Sequence, residues 1–130
     1  MIQLGYTILY VQDVVKTVEF YENAFAFQRK FIAPDNSYAE LISGSTTLSF
    51  AAIDLAASNL TAGFITSTLK AKPFGIEIGM VTDDVPTTLA AAITAGATLL
   101  ETPKTKPWGQ IVAYVRDLDG FLIEICTPVG

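Results

Sequence analysis

Val11-Gln12-Asp13-Val14 and Val81-Thr82-Asp83-Asp84-Val85 decide the fold, because they are one motif written twice. The first leads into a helix-like run over 15–25, the second into another over 86–95. The offset is 70 between the valines at 11 and 81, and 71 between the Asp-Val steps at 13 and 84. A repeat of that length exceeds a solenoid unit and suits a duplicated half-domain. Two related halves can face each other and enclose one pocket, so the question becomes what lines it.

Working outward, residues 3–11 are rich in β-branched and aromatic types and read as a strand. Asp13 is placed to cap a helix whose apolar face is Val14, Val18, Tyr21 and Phe25. Strands are expected over 27–33, 38–42 and 46–53, with turn residues at 34–37 and a hairpin at Ser43-Gly44-Ser45. The second half repeats the plan. A strand over 74–81 precedes a helix capped by Asp84, with Pro86 in its first turn and Gly96 at its end. Val85, Leu89, Ala92 and Ile93 are its expected apolar face. Strands over 98–102, 110–115 and 121–127 follow, with a loop over 103–109 and a turn at Asp117-Leu118-Asp119-Gly120. Each half is thus β-α-β-β-β. The expected organisation is a single domain over 1–130, with one module over about 1–54, a linker over about 55–72 and a second module over about 73–130. The join from Asp54 to Lys72 reads as a loop with a short helix near 62–69, and is the best candidate for a lid.

Composition excludes several classes. The chain is 51% hydrophobic with mean hydropathy +0.44, which argues against disorder. No apolar run reaches the roughly 18 residues of a membrane span, and the N-terminus lacks the basic region of a signal peptide. A net charge of −5 argues against nucleic acid, and Lys70, Lys72, Lys104 and Lys106 read as solvated loop charge. Cys126 is the sole cysteine, so no intrachain disulfide forms and the cytoplasm is the expected compartment. With no histidine, a Ser-His or Cys-His pair cannot be built, and the commonest metal ligand is missing.

The duplicated β-α-β-β-β plan resembles the vicinal oxygen chelate superfamily, which includes glyoxalase I, extradiol dioxygenases and bleomycin-resistance proteins. The most specific stretch is Pro107-Trp108-Gly109-Gln110, then Ala113-Tyr114-Val115-Arg116-Asp117-Leu118-Asp119-Gly120, then Ile123-Glu124. The family commonly has Asp-Pro-Asp-Gly at the turn, where this chain has Leu118 in place of the Pro. The resemblance implies an α+β fold of two modules whose mixed, curved sheets form an open, barrel-like pocket. It also implies a homodimer. Metal-dependent members hold an ion with four side chains, two of them His or Gln, five residues before the valine that ends the first strand of each half. Counting back reaches Tyr6 and Ile76, and the other two positions, typically Glu, map to Ser49 and Glu124. Only Glu124 is a usual ligand type, too little for Zn²⁺ or Ni²⁺, so neither metal nor cofactor is expected. A one-residue slip would bring Glu77 to the pocket face, and Tyr6, Ser49, Glu77 and Glu124 would then be an oxygen set nearer to Mg²⁺ or Ca²⁺ chemistry.

Strand alternation, started from those positions, places Tyr6, Ile8 and Tyr10 on the pocket face, with Thr47, Ser49 and Ala51. The same rule gives Ile76, Ile78 and Met80, with Leu122, Glu124 and Cys126. Gln110 and Trp108 are expected at the rim. The candidate ligand-binding residues are Tyr6, Tyr10, Ser49, Ile76, Ile78, Trp108, Gln110 and Glu124, an apolar and aromatic lining with few polar handles. Aromatic walls suit a planar ligand by stacking. The leading expectation is a metal-free protein that sequesters an aromatic or hydrophobic small molecule. The alternative is a lyase, isomerase or dioxygenase with a non-standard metal site, or one that uses Glu124 as its general base.

Overall fold

A computed structural model describes residues 1–129. The element order is β1 (Thr7–Val11), α1 (Val14–Phe25), β2 (Gln28–Ile32), β3 (Tyr38–Ser43), β4 (Thr46–Ala52), α2 (Ile53–Asn59), β5 (Glu77–Val81), α3 (Val85–Ala95), β6 (Thr98–Thr105), β7 (Ile111–Arg116) and β8 (Leu122–Cys126). Two four-stranded sheets form, in the orders β1-β4-β3-β2 and β5-β8-β7-β6. In each, the first strand pairs parallel with the last and the other pairs are antiparallel. The fold is mixed α+β and neither sheet closes into a barrel. The chain falls into two compact units: Met1–Glu22 with Ala26–Thr66, and Asn23–Phe25 with the residues from Ser67 onward.

The two long helices begin as the repeat requires. Asp13 Oδ1 accepts from Lys16 N at 3.0 Å, and Asp84 Oδ1 from Thr87 N at 3.1 Å, so each Asp satisfies a donor that the first helical turn leaves free. α3 ends at Gly96 with φ 121°, and α1 ends at Ala26, which takes the left-handed conformation with φ 57°. In the first unit Val14, Val18 and Tyr21 of α1 are buried with Leu9, Val11, Leu41 and Phe50 of the sheet. Tyr21 stacks on Phe50 with ring centroids 5.0 Å apart. In the second unit Val85, Leu89 and Ala92 are buried with Met80, Ala113, Val115, Ile123 and Ile125. Ile93, expected on that apolar face, is 42% exposed.

Register shows how the repeat is built. Ile8 pairs with Ser49, and Gly79 with Glu124, so Ile8 and Gly79 correspond and are 71 apart, as the caps Asp13 and Asp84 are. The valines at 11 and 81 are not equivalents, because the second copy carries one more residue between valine and cap. Even an irregularity repeats: β2 shifts register between Arg29 and Phe31, and β6 between Leu99 and Glu101. Phe31 pairs with Glu40 and Glu101 with Tyr114, so the offset is 70 on one side of that hairpin and 74 on the other. The second copy therefore has a longer β6–β7 connection. β6 itself runs on to Thr105, past the expected end at 102, and a second register shift between Glu101 and Lys104 accommodates Pro103.

Other boundaries moved for reasons of partnership. β1 starts at Thr7 and β5 at Glu77, later than the expected 3 and 74, because their partners β4 and β8 begin near the residues opposite them. The helix in the join lies at Ile53–Asn59, not near 62–69. Leu55, Ala56 and Ala57 favour a helix there. Further on, Thr61, Ile65, Thr66 and Thr68 are β-branched and Gly63 takes φ 77°, so that segment has no helix.

Candidate functional site

Paired residues of neighbouring strands point to the same side of a sheet, so the register assigns the faces. In the first unit Ser49 pairs with Ile8 and Glu40, and Ala51 with Tyr10 and Tyr38. This face lies opposite the one that holds Leu9 and Phe50. Tyr38 donates its hydroxyl to Glu40 Oε2 at 2.8 Å, and Lys30 Nζ lies 3.3 Å from Glu40 Oε1. Burial raises the Tyr38 pKa; the Ser49 hydroxyl opposes that, while Glu40 and the nearby Tyr6 add to it. Ser49 is fully buried and, although it bears on Tyr38, its hydroxyl completes no hydrogen bond among the described residues. Tyr10 packs edge-on against Phe64 of the join, centroids 4.7 Å apart. Tyr6, Tyr10 and Ser49 thus stand together, with Tyr6 just before β1 and 53% exposed.

In the second unit Glu124 pairs with Gly79 and Tyr114, which fixes a face carrying Glu77, Glu124, Tyr114 and Cys126. Tyr114 donates its hydroxyl to Glu124 Oε2 at 2.9 Å, and its pKa is pushed up to about 12, first by burial and then by Glu124. Burial raises the Glu77 pKa as well, reinforced by the charge of Glu124 and by a hydrogen bond with it. Burial also pushes the Cys126 thiol up to about 11, with Glu124 adding to the rise, which leaves it inert as a nucleophile near neutrality. Trp108 Nε1 donates to Gln110 Oε1, and Gln110 Nε2 to the Thr127 carbonyl, each at 2.9 Å. Both polar groups are spent on each other and on the chain end, while the indole ring stays 64% exposed.

The face expected for the first strand of this half is corrected. Ile78 and Met80 pair with Ile123 and Ile125, both fully buried, so they belong to the core side, opposite Glu124. Ile76 lies before β5 and is 76% exposed. The cause is the count from the valines. Measured from the helix caps, the counterpart of Tyr6 is Glu77, 71 residues on. Tyr114 was missed as the partner of Glu124, although the turn at 117–120 carries the signal: both residues lie five from Asp119.

Chain chemistry at the family's ligand positions can now be set against the ion. The first unit supplies a phenol, Tyr6, and a buried hydroxyl, Ser49; the second supplies two carboxyls, Glu77, whose pKa Glu124 helps to raise, and Glu124, which accepts from Tyr114. No group of three or more His, Cys, Asp or Glu side chains is arranged to hold a metal among the described residues. Zn²⁺ and Ni²⁺ ask for imidazole, thiolate or several free carboxylates, and this donor set does not fit them.

Solved structures with the same fold include a glyoxalase-related enzyme from Fulvimarina pelagi, at 20% identity and TM-score 0.82, covering 98% of this chain and 89% of that one. A glyoxalase/bleomycin resistance protein/dioxygenase family enzyme from Burkholderia phytofirmans PsJN has 21% identity and TM-score 0.82, over 97% and 98%. TioX from Micromonospora sp. ML1 has 20% identity and TM-score 0.71, over 96% and 98%. Identities this low establish likeness of fold. No curated protein matches the sequence significantly. No helix among the described residues is long and apolar enough to cross a membrane. The sequence profile that matches residues 3–125 carries the assignment: the chain belongs to the Glyoxalase/Bleomycin resistance protein/Dioxygenase superfamily.

Proposed function

We propose that this protein binds an aromatic or hydrophobic small molecule on the sheet faces bearing Tyr6, Tyr10 and Ser49, and Glu124 and Gln110, without a metal. The observation that carries the reading is the donor set: no imidazole or thiolate stands at any of the four positions where metal-dependent relatives hold their ion. Two of the four are instead carboxyls engaged with each other. The phenols and the exposed ring of Trp108 offer flat apolar surface for a planar ligand. Trp108 is the only tryptophan, so its fluorescence reports on one place. The test combines elemental analysis of the purified protein with equilibrium dialysis and tryptophan quenching against naphthols, quinones and polyaromatic drugs. A saturable binder with no stoichiometric metal is the expected result. Stoichiometric metal with no saturable binder would overturn it.

A second reading has an observation of its own. The Glu77 carboxyl, whose pKa is raised by burial and by the neighbouring Glu124, stands beside Glu124 on one sheet face, a pairing that suits general acid–base chemistry. In that reading Glu124 is the general base, and Glu124→Gln abolishes a turnover that the wild-type protein shows. Under either reading the protein works as a cytoplasmic homodimer, which sedimentation equilibrium checks at the level of mass.

A further inference from the structure

The β7–β8 turn holds more than its two strands. Arg116 is 6% exposed, and its guanidinium is spent on backbone carbonyls. Nε donates to Gly120 O at 2.8 Å, Nη2 to Thr68 O at 2.9 Å, and Nη1 to Ala71 O at 2.8 Å, with Leu69 O at 3.5 Å. Ser67 Oγ donates to Asp119 O at 2.9 Å. Thr68 O also accepts from Ala71 N at 3.3 Å, which closes the segment into a turn of its own. The approach is close: a Cβ at Gly120, where φ is 92°, would lie 2.7 Å from Arg116 Nη2 and 2.9 Å from the Thr68 carbonyl carbon. Asp117 braces the β7–β8 turn from within, its Oδ1 accepting from Asp119 N at 3.0 Å and Phe121 N at 2.9 Å.

The fastening point is placed with respect to the site. Arg116 pairs with Leu122, and Leu122 with Glu77, so these three form one row across the sheet on the face of Glu124. The next row holds Gly79, Glu124 and Tyr114. The segment Ser67–Ala71 is therefore tied to the side chain that ends the Glu77 row. It has no hydrophobic anchor of its own, since Thr68, Leu69, Lys70 and Ala71 are all exposed. Hydrogen bonds from Arg116 and Ser67 hold it, and such segments open locally at a fraction of the global free energy.

We propose that Ser67–Ala71 is a clasped strap, which opens as a local unit while the second sheet stays folded, with Arg116 as its catch. Trypsin digestion of the full chain under native conditions tests this. Lys70–Ala71 is the scissile bond within the strap, because Lys72 precedes Pro73 and is not cut. Both flanking carbonyls, Leu69 and Ala71, are held by Arg116. Arg116→Gln is expected to speed cleavage at Lys70–Ala71 by at least about tenfold, with little dependence on added urea. Ser67→Ala, which removes one bond, is expected to speed it by about fivefold. Amide hydrogen exchange at Ile123 and Ile125, fully buried in the interior strand β8, serves as the gauge of unfolding of the second sheet. If Arg116→Gln fails to fold, Ser67→Ala carries the same comparison. Cleavage at Lys70–Ala71 that stays at the wild-type rate overturns the proposal. So does a rise matched in size and urea dependence by exchange at Ile123 and Ile125.

Discussion

Glu77 shows how one side chain sets a pH dependence. Unfolded, it titrates at its ordinary value; folded, burial and Glu124 make it hold its proton to a higher pH. Between those two points the folded state binds more protons than the unfolded one, so stability falls as pH rises through that window and stays lower above it. Glu77→Gln is therefore expected to raise Tm relative to wild type at about pH 8, with the gain gone at about pH 3, where both states are protonated. An equal difference at both pH values would remove the account of a raised Glu77 pKa. Cys126 gives a second prediction. Its pKa, moved from 9.0 to about 11, lowers the thiolate fraction at pH 8 by about 100-fold, and the residue is 2% exposed. Modification by a disulfide reagent in native buffer is expected to be at least that much slower than in denaturant. A native rate like that of a free thiol would show that the side chain is reachable. At this scale the sequence was only partly legible. Glu124 was found from the family pattern, but Tyr114 and Glu77 depend on register, and register is a property of paired strands.

Among the elements, the caps were the most legible features, because an N-cap is local chemistry: a short polar side chain just before an apolar-periodic run. Asp13→Ala is expected to cost about 1 kcal/mol in urea denaturation. At Asp84 the Thr87 hydroxyl and backbone N–H both donate to the carboxylate and hold its pKa below the usual value. A lowered carboxylate pKa contributes stability above the ordinary value and loses it as pH falls through the folded one. Asp84→Ala is accordingly expected to destabilise the protein at neutral pH, with a difference that shrinks as the pH approaches about 2. A difference constant with pH would mean that charge plays no part in the cap. Strand ends were less legible. Residues 3–6 and 74–76 have strand-like composition but face no partner strand, and a lone strand leaves its backbone groups to water. The helix at Ile53–Asn59 is hard to place from sequence because an Ala-rich and a Thr-rich stretch run together across the join.

For the molecule as a whole, duplication was legible from the sequence and its bookkeeping was not. Two β-α-β-β-β copies follow from the recurrence of cap, apolar helix and hairpin. The point from which to measure does not, because a one-residue difference near Val81 moves every later side chain to the opposite face. The longer β6–β7 connection of the second copy has a consequence for where the copies differ. Phe31 and Glu101 keep an offset of 70, while Glu40 and Tyr114 stand 74 apart, so the second copy is longer there by four residues. That joint carries Trp108 and Gln110, and thus the chain's only indole. The extra length lies at a hairpin tip, where a sheet tolerates it, and it gives the second copy an indole that the first lacks. A chain with that tip trimmed to the length of the first copy is expected to keep its far-UV dichroism and cooperative unfolding while losing aromatic binding. The fold would then stand without the tip, and the binding would depend on it.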